Sequence, residues 1–223
     1  MSSLLSGLIS YYALEGDGTD STGLNDCTST SITYSLANGI IGQGAGFPFK
    51  ASSGINIRKL SPTGLPTGFS SRTLSYWLKT TQTDVMVFVG YGTDAGTPNQ
   101  DFVGLLIAGK AGIGCGDGGL FALSTSTAND GNWHHIVGTY NGSTLRIYFD
   151  GVLESTATGT LNTIIANLDF NRYQMSDSID EVGFWFRVLT LSEITELYNS
   201  GAGLTYPFVA PPTETPSFLL NVI

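Results

Sequence analysis

From Trp133 onward, apolar and polar positions alternate with a period of two. Trp133, His135, Val137 and Thr139 fall on one side, and His134, Ile136, Gly138 and Tyr140 on the other. That period belongs to a strand whose two faces meet different surroundings. Asn141-Gly142 turns the chain; Leu145, Ile147 and Phe149 then alternate with Arg146, Tyr148 and Asp150, and Asp150-Gly151 turns it again. Asn-Gly and Asp-Gly pairs tolerate the positive φ angles of type I′ turns, so residues 132–154 are predicted to form a three-stranded meander.

The same reading extends along the chain. Strands are predicted at Tyr11–Leu14, Ile32–Leu36, Phe47–Phe49, Ile55–Ile57, Thr73–Thr80, Val85–Tyr91, Phe102–Ala108, Gly112–Cys115, Leu120–Ser124, Ile164–Tyr173 and Ile179–Phe186. Residues 60–71, with two prolines and two glycines, read as a loop. One helix is predicted: Thr190 and Glu193 fit a capping box, Leu191, Ile194, Leu197 and Tyr198 share a face, and Gly201 and Gly203 stop it. The pattern is all-β with a short C-terminal helix, and the length suits one two-sheet β-sandwich domain over residues 1–206. Residues 207–223 form a proline-punctuated extended tail with an apolar tip, Phe218, Leu219, Leu220, Val222 and Ile223. That tip reads either as a strap along its own domain or as an assembly element docking on a neighbour.

Composition narrows the function. Charged residues are 12% of 223 and the net charge is -9, so nine Lys and Arg form no cationic stripe for nucleic acid or anionic membrane surfaces. The N-terminus lacks a basic region and a long apolar core, and is expected to be no cleavable signal. Cys27 and Cys115 are expected to be inert thiols rather than a disulfide.

Three segments carry a resemblance. Asp130-Gly131-Asn132-Trp133-His134-His135 through Asp150-Gly151, the opening Gly7–Gly16 with Asp20-Ser21-Thr22-Gly23, and the closing Ser178-Ile179-Asp180-Glu181-Val182 to Leu191-Ser192-Glu193-Ile194 resemble, in order, the laminin-G-like, concanavalin A-like jelly-roll family. The resemblance implies this sandwich fold, which hosts lectins, adhesion modules, hydrolases and structural domains. By analogy with surface proteins of bacterial viruses, it implies a non-catalytic recognition or assembly protein on a virion surface. Its partners would be a capsid or other virion protein, a second copy, or surface glycans. The alternatives are a carbohydrate-binding module of a secreted or cell-surface system and a degenerate glycoside hydrolase.

The resemblance also implies a structural calcium ion where the opening loop meets the closing strand, with Asp17, Asp20 and Asp180 as hard oxygen donors. The competing reading is that Asp20 and Asp180 cap turns through backbone hydrogen bonds. His134 and His135 leave opposite faces of one strand and read as structural. Glycosidase chemistry needs two carboxylates across a cleft, and no such pair, triad or phosphate loop is present in the sequence; no catalytic residue is assigned. For a sugar ring, the aromatics in or beside polar loops are Tyr34, Tyr91, Phe102 and Tyr173, whereas Trp77, Trp133 and Trp185 read as core.

Overall fold

The computed structural model describes residues 3–48, 56–93, 98–116, 118–170, 172 and 177–209. Its strands are β1 (Leu8–Tyr12), β2 (Thr28–Thr30), β3 (Thr33–Ser35), β4 (Gly44–Phe47), β5 (Asn56–Leu60), β6 (Arg72–Lys79), β7 (Met86–Gly92), β8 (Asp101–Ile107), β9 (Lys110–Gly114), β10 (Phe121–Leu123), β11 (Trp133–Tyr140), β12 (Thr144–Phe149), β13 (Val152–Thr158), β14 (Asn167–Phe170) and β15 (Asp177–Trp185), followed by α1 (Leu191–Tyr198). They form two antiparallel sheets. Sheet A runs β13-β12-β11-β6-β15-β4-β3 with β1 also on β15, and sheet B runs β10-β9-β8-β7-β14-β5-β2.

The alternation read from the sequence decides which faces meet. Leu74, Tyr76 and Leu78 of β6, Ile136 and Tyr140 of β11, and Leu145 and Ile147 of β12 face inward and pack with Phe88, Tyr91, Phe102 and Leu106 of sheet B. The predicted meander is β11-β12-β13. Its second turn is as expected, with positive φ at both Asp150 and Gly151. Its first turn differs: only Gly142 has positive φ, because Asn141 Oδ1 accepts from the amides of Ser143 and Thr144 and stabilises a different loop. The predicted capping box is present, with Glu193 N donating to Thr190 Oγ1 and Thr190 N to Glu193 Oε2.

Some boundaries moved. β1 begins at Leu8, three residues before the expected start, and β5 extends to Leu60 where a loop was expected. β2, Thr-Ser-Thr with all three residues exposed, has no apolar alternation to betray it. The loop after β5 is held by a feature with no sequence signal. Arg72, 1% exposed, points its guanidinium at the carbonyls of Pro66, Thr67, Gly68 and Ser70, Tyr91 Oη and Thr163 Oγ1, between the rings of Phe102 and Tyr140.

The outer face of sheet A is divided. Toward the end where β15 finishes, Trp185, Tyr11, Val137 and Tyr148 are covered by Leu4, Leu189, Ile194, Leu197 and Phe208. Tyr198 of α1 also stacks on Trp77 and His135. Among the described residues, the opposite end, where β15 begins and β6 finishes, is left open. Cys27 and Cys115 form no disulfide. Of the tail, only residues 207–209 are described, so Phe218, Leu219, Leu220, Val222 and Ile223 lie outside the described residues, as does the tail's expected assembly role.

Because Arg72 satisfies four loop carbonyls from a buried position, Arg72→Leu is expected to cost about 3 kcal/mol or more. Arg72→Lys, without the planar fork, should recover little of it. Urea unfolding of the two variants checks this.

Candidate functional site

The open end of sheet A carries a cleft of about 440 Å³, lined by Thr33, Asn38, Gly46, Phe47, Pro48, Lys79, Thr80, Thr81, Gly131, Asp177 and Ser178. These residues come from the start of β3, the ends of β4 and β6, the turn before β11 and the start of β15, four strands converging on one rim. Asn38 is the organising side chain. Its Nδ2 donates to Thr33 O and its Oδ1 accepts from Ser178 Oγ at 3.1 Å. It lies so flat on β4 that a Cβ at Gly46 would come within 2.2 Å of its amide nitrogen. The loop that carries Asn38 is anchored from beneath, since Asp180 Oδ2 accepts from the amides of Ile40 and Ile41 at 2.9 and 3.2 Å.

On the far wall, His134 fixes the turn that supplies Gly131. Its Nδ1 lies 2.9 Å from Asp150 Oδ2 and its Nε2 lies 3.1 Å from Asp130 Oδ1. Burial works against the imidazolium, but the two carboxylates outweigh it and the pKa is raised. His135 points the other way, is buried beside Ser75, and is driven down to about 3 by burial, so it stays neutral. Both histidines are structural.

Two residues set the cleft's electrostatics. Lys79 is partly exposed and stands directly across from Trp133 in the β6–β11 register. Asp177 is 5% exposed, neither of its carboxyl oxygens has a hydrogen-bond partner, and burial pushes its pKa up to about 6.

The expected calcium donors do not converge. Among the described residues no three His, Cys, Asp or Glu side chains form a metal-holding group. Asp20, 1% exposed, accepts from the amides of Tyr11, Thr22 and Asn25 and from the Thr22 hydroxyl. Asp180 serves Ile40, Ile41 and Glu181, and Asp17 serves Thr19. Each carboxylate caps its own turn through N–H donors, as in the competing reading, and the three are not brought to one point among the described residues. Asp180 is raised by burial and then by adjacent Glu181; burial raises Glu181 as well, and Tyr11 Oη donates to it.

The expected sugar-stacking aromatics also need correction. Tyr91 and Phe102 are 1% and 0% exposed, paired across β7–β8 on the inward face, so neither meets a ligand. Tyr34 is half-buried against the core, its hydroxyl 2.6 Å from Ser29 Oγ. Tyr173 lies outside the described residues. Trp77 and Trp185 are core as expected, at 2% and 0%, but Trp133, read as core, is only half-buried; it lies on the outer face of sheet A, across the strand pair from Lys79 of the cleft. Its place at the first position of β11 was the available signal.

A second, smaller cavity of about 130 Å³ on sheet B is apolar, bounded by Val85, Val87, Leu105, Ile107 and Phe121. Beside the same sheet's centre, Arg58 pairs with Asp169 and Arg172 with Asp101.

Residues 51–195 match the family model of the concanavalin A-like lectin/glucanases superfamily, a laminin G type, and the chain belongs to that family. No curated protein matches it in sequence. Among solved structures it is similar to the binding domain of Paraclostridial Mosquitocidal Protein 1, at TM-score 0.70 and 15% identity over 88% of this chain and 52% of that one. It is also similar to domain 4 of AbnA, a GH43 extracellular arabinanase from Geobacillus stearothermophilus, in complex with arabinotriose, at TM-score 0.62 and 22% identity over 85% and 97%. A third is botulinum neurotoxin type C, in a structure concerned with its interaction with two ganglioside molecules, at TM-score 0.70 and 12% identity over 90% and 53%. The chain spans about half the length of the toxin chains it matches and nearly all of the arabinanase domain. At these identities the likeness is one of fold.

Two expectations follow. Asp20→Ala is expected to lower stability by about 3 kcal/mol, equally in calcium and in EDTA, since what it loses are bonds to backbone amides; paired melts check this. Asp177, with its folded pKa above the ordinary 3.8, binds its proton more tightly in the folded state, so the protein loses stability as pH rises from about 4 to about 6. Asp177→Asn is therefore expected to gain on the order of 2 kcal/mol at pH 7 and to lose that advantage near pH 4, measured by urea melts at both.

Proposed function

We propose that this domain is a non-catalytic glycan-recognition module and that the rim cleft is where the glycan sits. The observation that carries the reading is the cleft's polar lining, with hydroxyls of Thr33, Thr81 and Ser178 and the amide of Asn38, together with the half-buried indole of Trp133, which stands across the strand pair from the lining residue Lys79. A pyranose or furanose offers hydroxyls to exchange with neutral polar groups and an apolar face to stack on an aromatic ring, and the cleft with its neighbouring indole supplies both. A neighbour that this chain covers almost end to end was solved with arabinotriose, which supports the same reading.

The non-catalytic part rests on the carboxyls. Hydrolysis of a glycosidic bond needs an acid and a second carboxylate facing it across the substrate. Among the described residues Asp177 is the single carboxyl lining the cleft, and its oxygens are buried. The virion setting is an extension of the family analogy, and the tail that would serve assembly lies outside the described residues.

The test is retention on a glycan array. The domain is expected to hold at least one oligosaccharide without shortening it, and Trp133→Ala is expected to weaken retention by about 1 kcal/mol or more with an unchanged melt. Release of reducing sugar, or retention indifferent to Trp133, would contradict the reading.

A further inference from the structure

We propose, on the basis of that glycan reading, that the saccharide taken by the rim cleft carries a carboxylate, and that the Lys79 ammonium receives it. The cations of this chain are mostly spent on protein acceptors. Arg72 is saturated by carbonyls and hydroxyls, Arg58 pairs with Asp169, Arg172 with Asp101, Arg187 with Glu193, and Lys110 donates to Thr125 O. Lys79 makes no hydrogen bond or ion pair within the described residues, and it stands in the cleft.

Its surroundings specify what it meets. The other charge in the lining, Asp177, has both oxygens sealed from solvent, so the charge presented to an incoming ligand is positive. Register places Lys79 on the same sheet face as Trp133, directly across the strand pair, so ring and ammonium stand side by side. A sugar stacked on the indole thereby brings a ring substituent to the ammonium. Lysine is a compact point charge rather than a planar fork, which suits one carboxylate reached through a flexible stem. The net charge of -9 disfavours polyanions approaching the whole domain, so the match is to a single acidic sugar in an otherwise neutral chain.

The experiment uses an array of matched oligosaccharides, each neutral chain beside the same chain capped with glucuronic, galacturonic or N-acetylneuraminic acid, with hexaglutamate as a non-sugar acid. At least one acid-capped chain is expected to be retained about five- to tenfold better than its neutral match. That advantage should vanish in Lys79→Met, persist in Lys79→Arg, and shrink as ionic strength rises from about 0.05 to 0.5 M. Equal retention of neutral and acid-capped members overturns this inference and leaves the glycan reading standing. Retention of hexaglutamate alone, or of nothing on the array, overturns both.

Discussion

Backbone amides outside the two sheets need acceptors, and in this domain buried and half-buried carboxylates supply them. Asp20 takes three amides and a hydroxyl in the opening loop, Asp180 takes three amides, and Glu154 takes those of Thr125 and Ser126. An N–H buried without a partner costs about as much as a lost hydrogen bond, and a charged acceptor binds it more strongly than a neutral one. Long irregular loops can therefore fold tightly onto a sandwich of short strands.

The cleft inherits its shape from this arrangement. Asp180 pins the segment that carries Asn38, Asn38 lies on β4 because Gly46 has no side chain, and His134 holds the opposing turn between Asp130 and Asp150. Meanwhile α1 and residues 204–208 cover the other end of the same sheet, closing Trp77 and Trp185 into the interior. Among the described residues, one end of sheet A is thus sealed by apolar packing and the other left open with polar walls.

The fold was legible because its information is local: period-two alternation over β6, β11 and β12, an Asp-Gly turn, and a capping box at Thr190. The site was much less so. Tyr91 and Phe102 border polar loop sequence, yet strand register turns both inward, and a one-residue difference in phase separates a platform from a core ring. Trp133 belongs to a strand pattern but stands at its first residue, on the outer face of sheet A that it shares with His135 and Val137, and is only half-buried there. Arg72 takes its carbonyls from the loop just before it, but Thr163 and the rings of Phe102 and Tyr140 that enclose it lie far away in sequence, and nothing near Asp177 marks it as buried.

The most direct test of the account is a crystal structure of the domain with an oligosaccharide that it retains. The account predicts the sugar in the rim cleft, one ring against Trp133 and its hydroxyls on Asn38, Ser178 and the neighbouring threonines. A sugar seated instead on the outer face of sheet B, with the rim cleft filled by water alone, would contradict it.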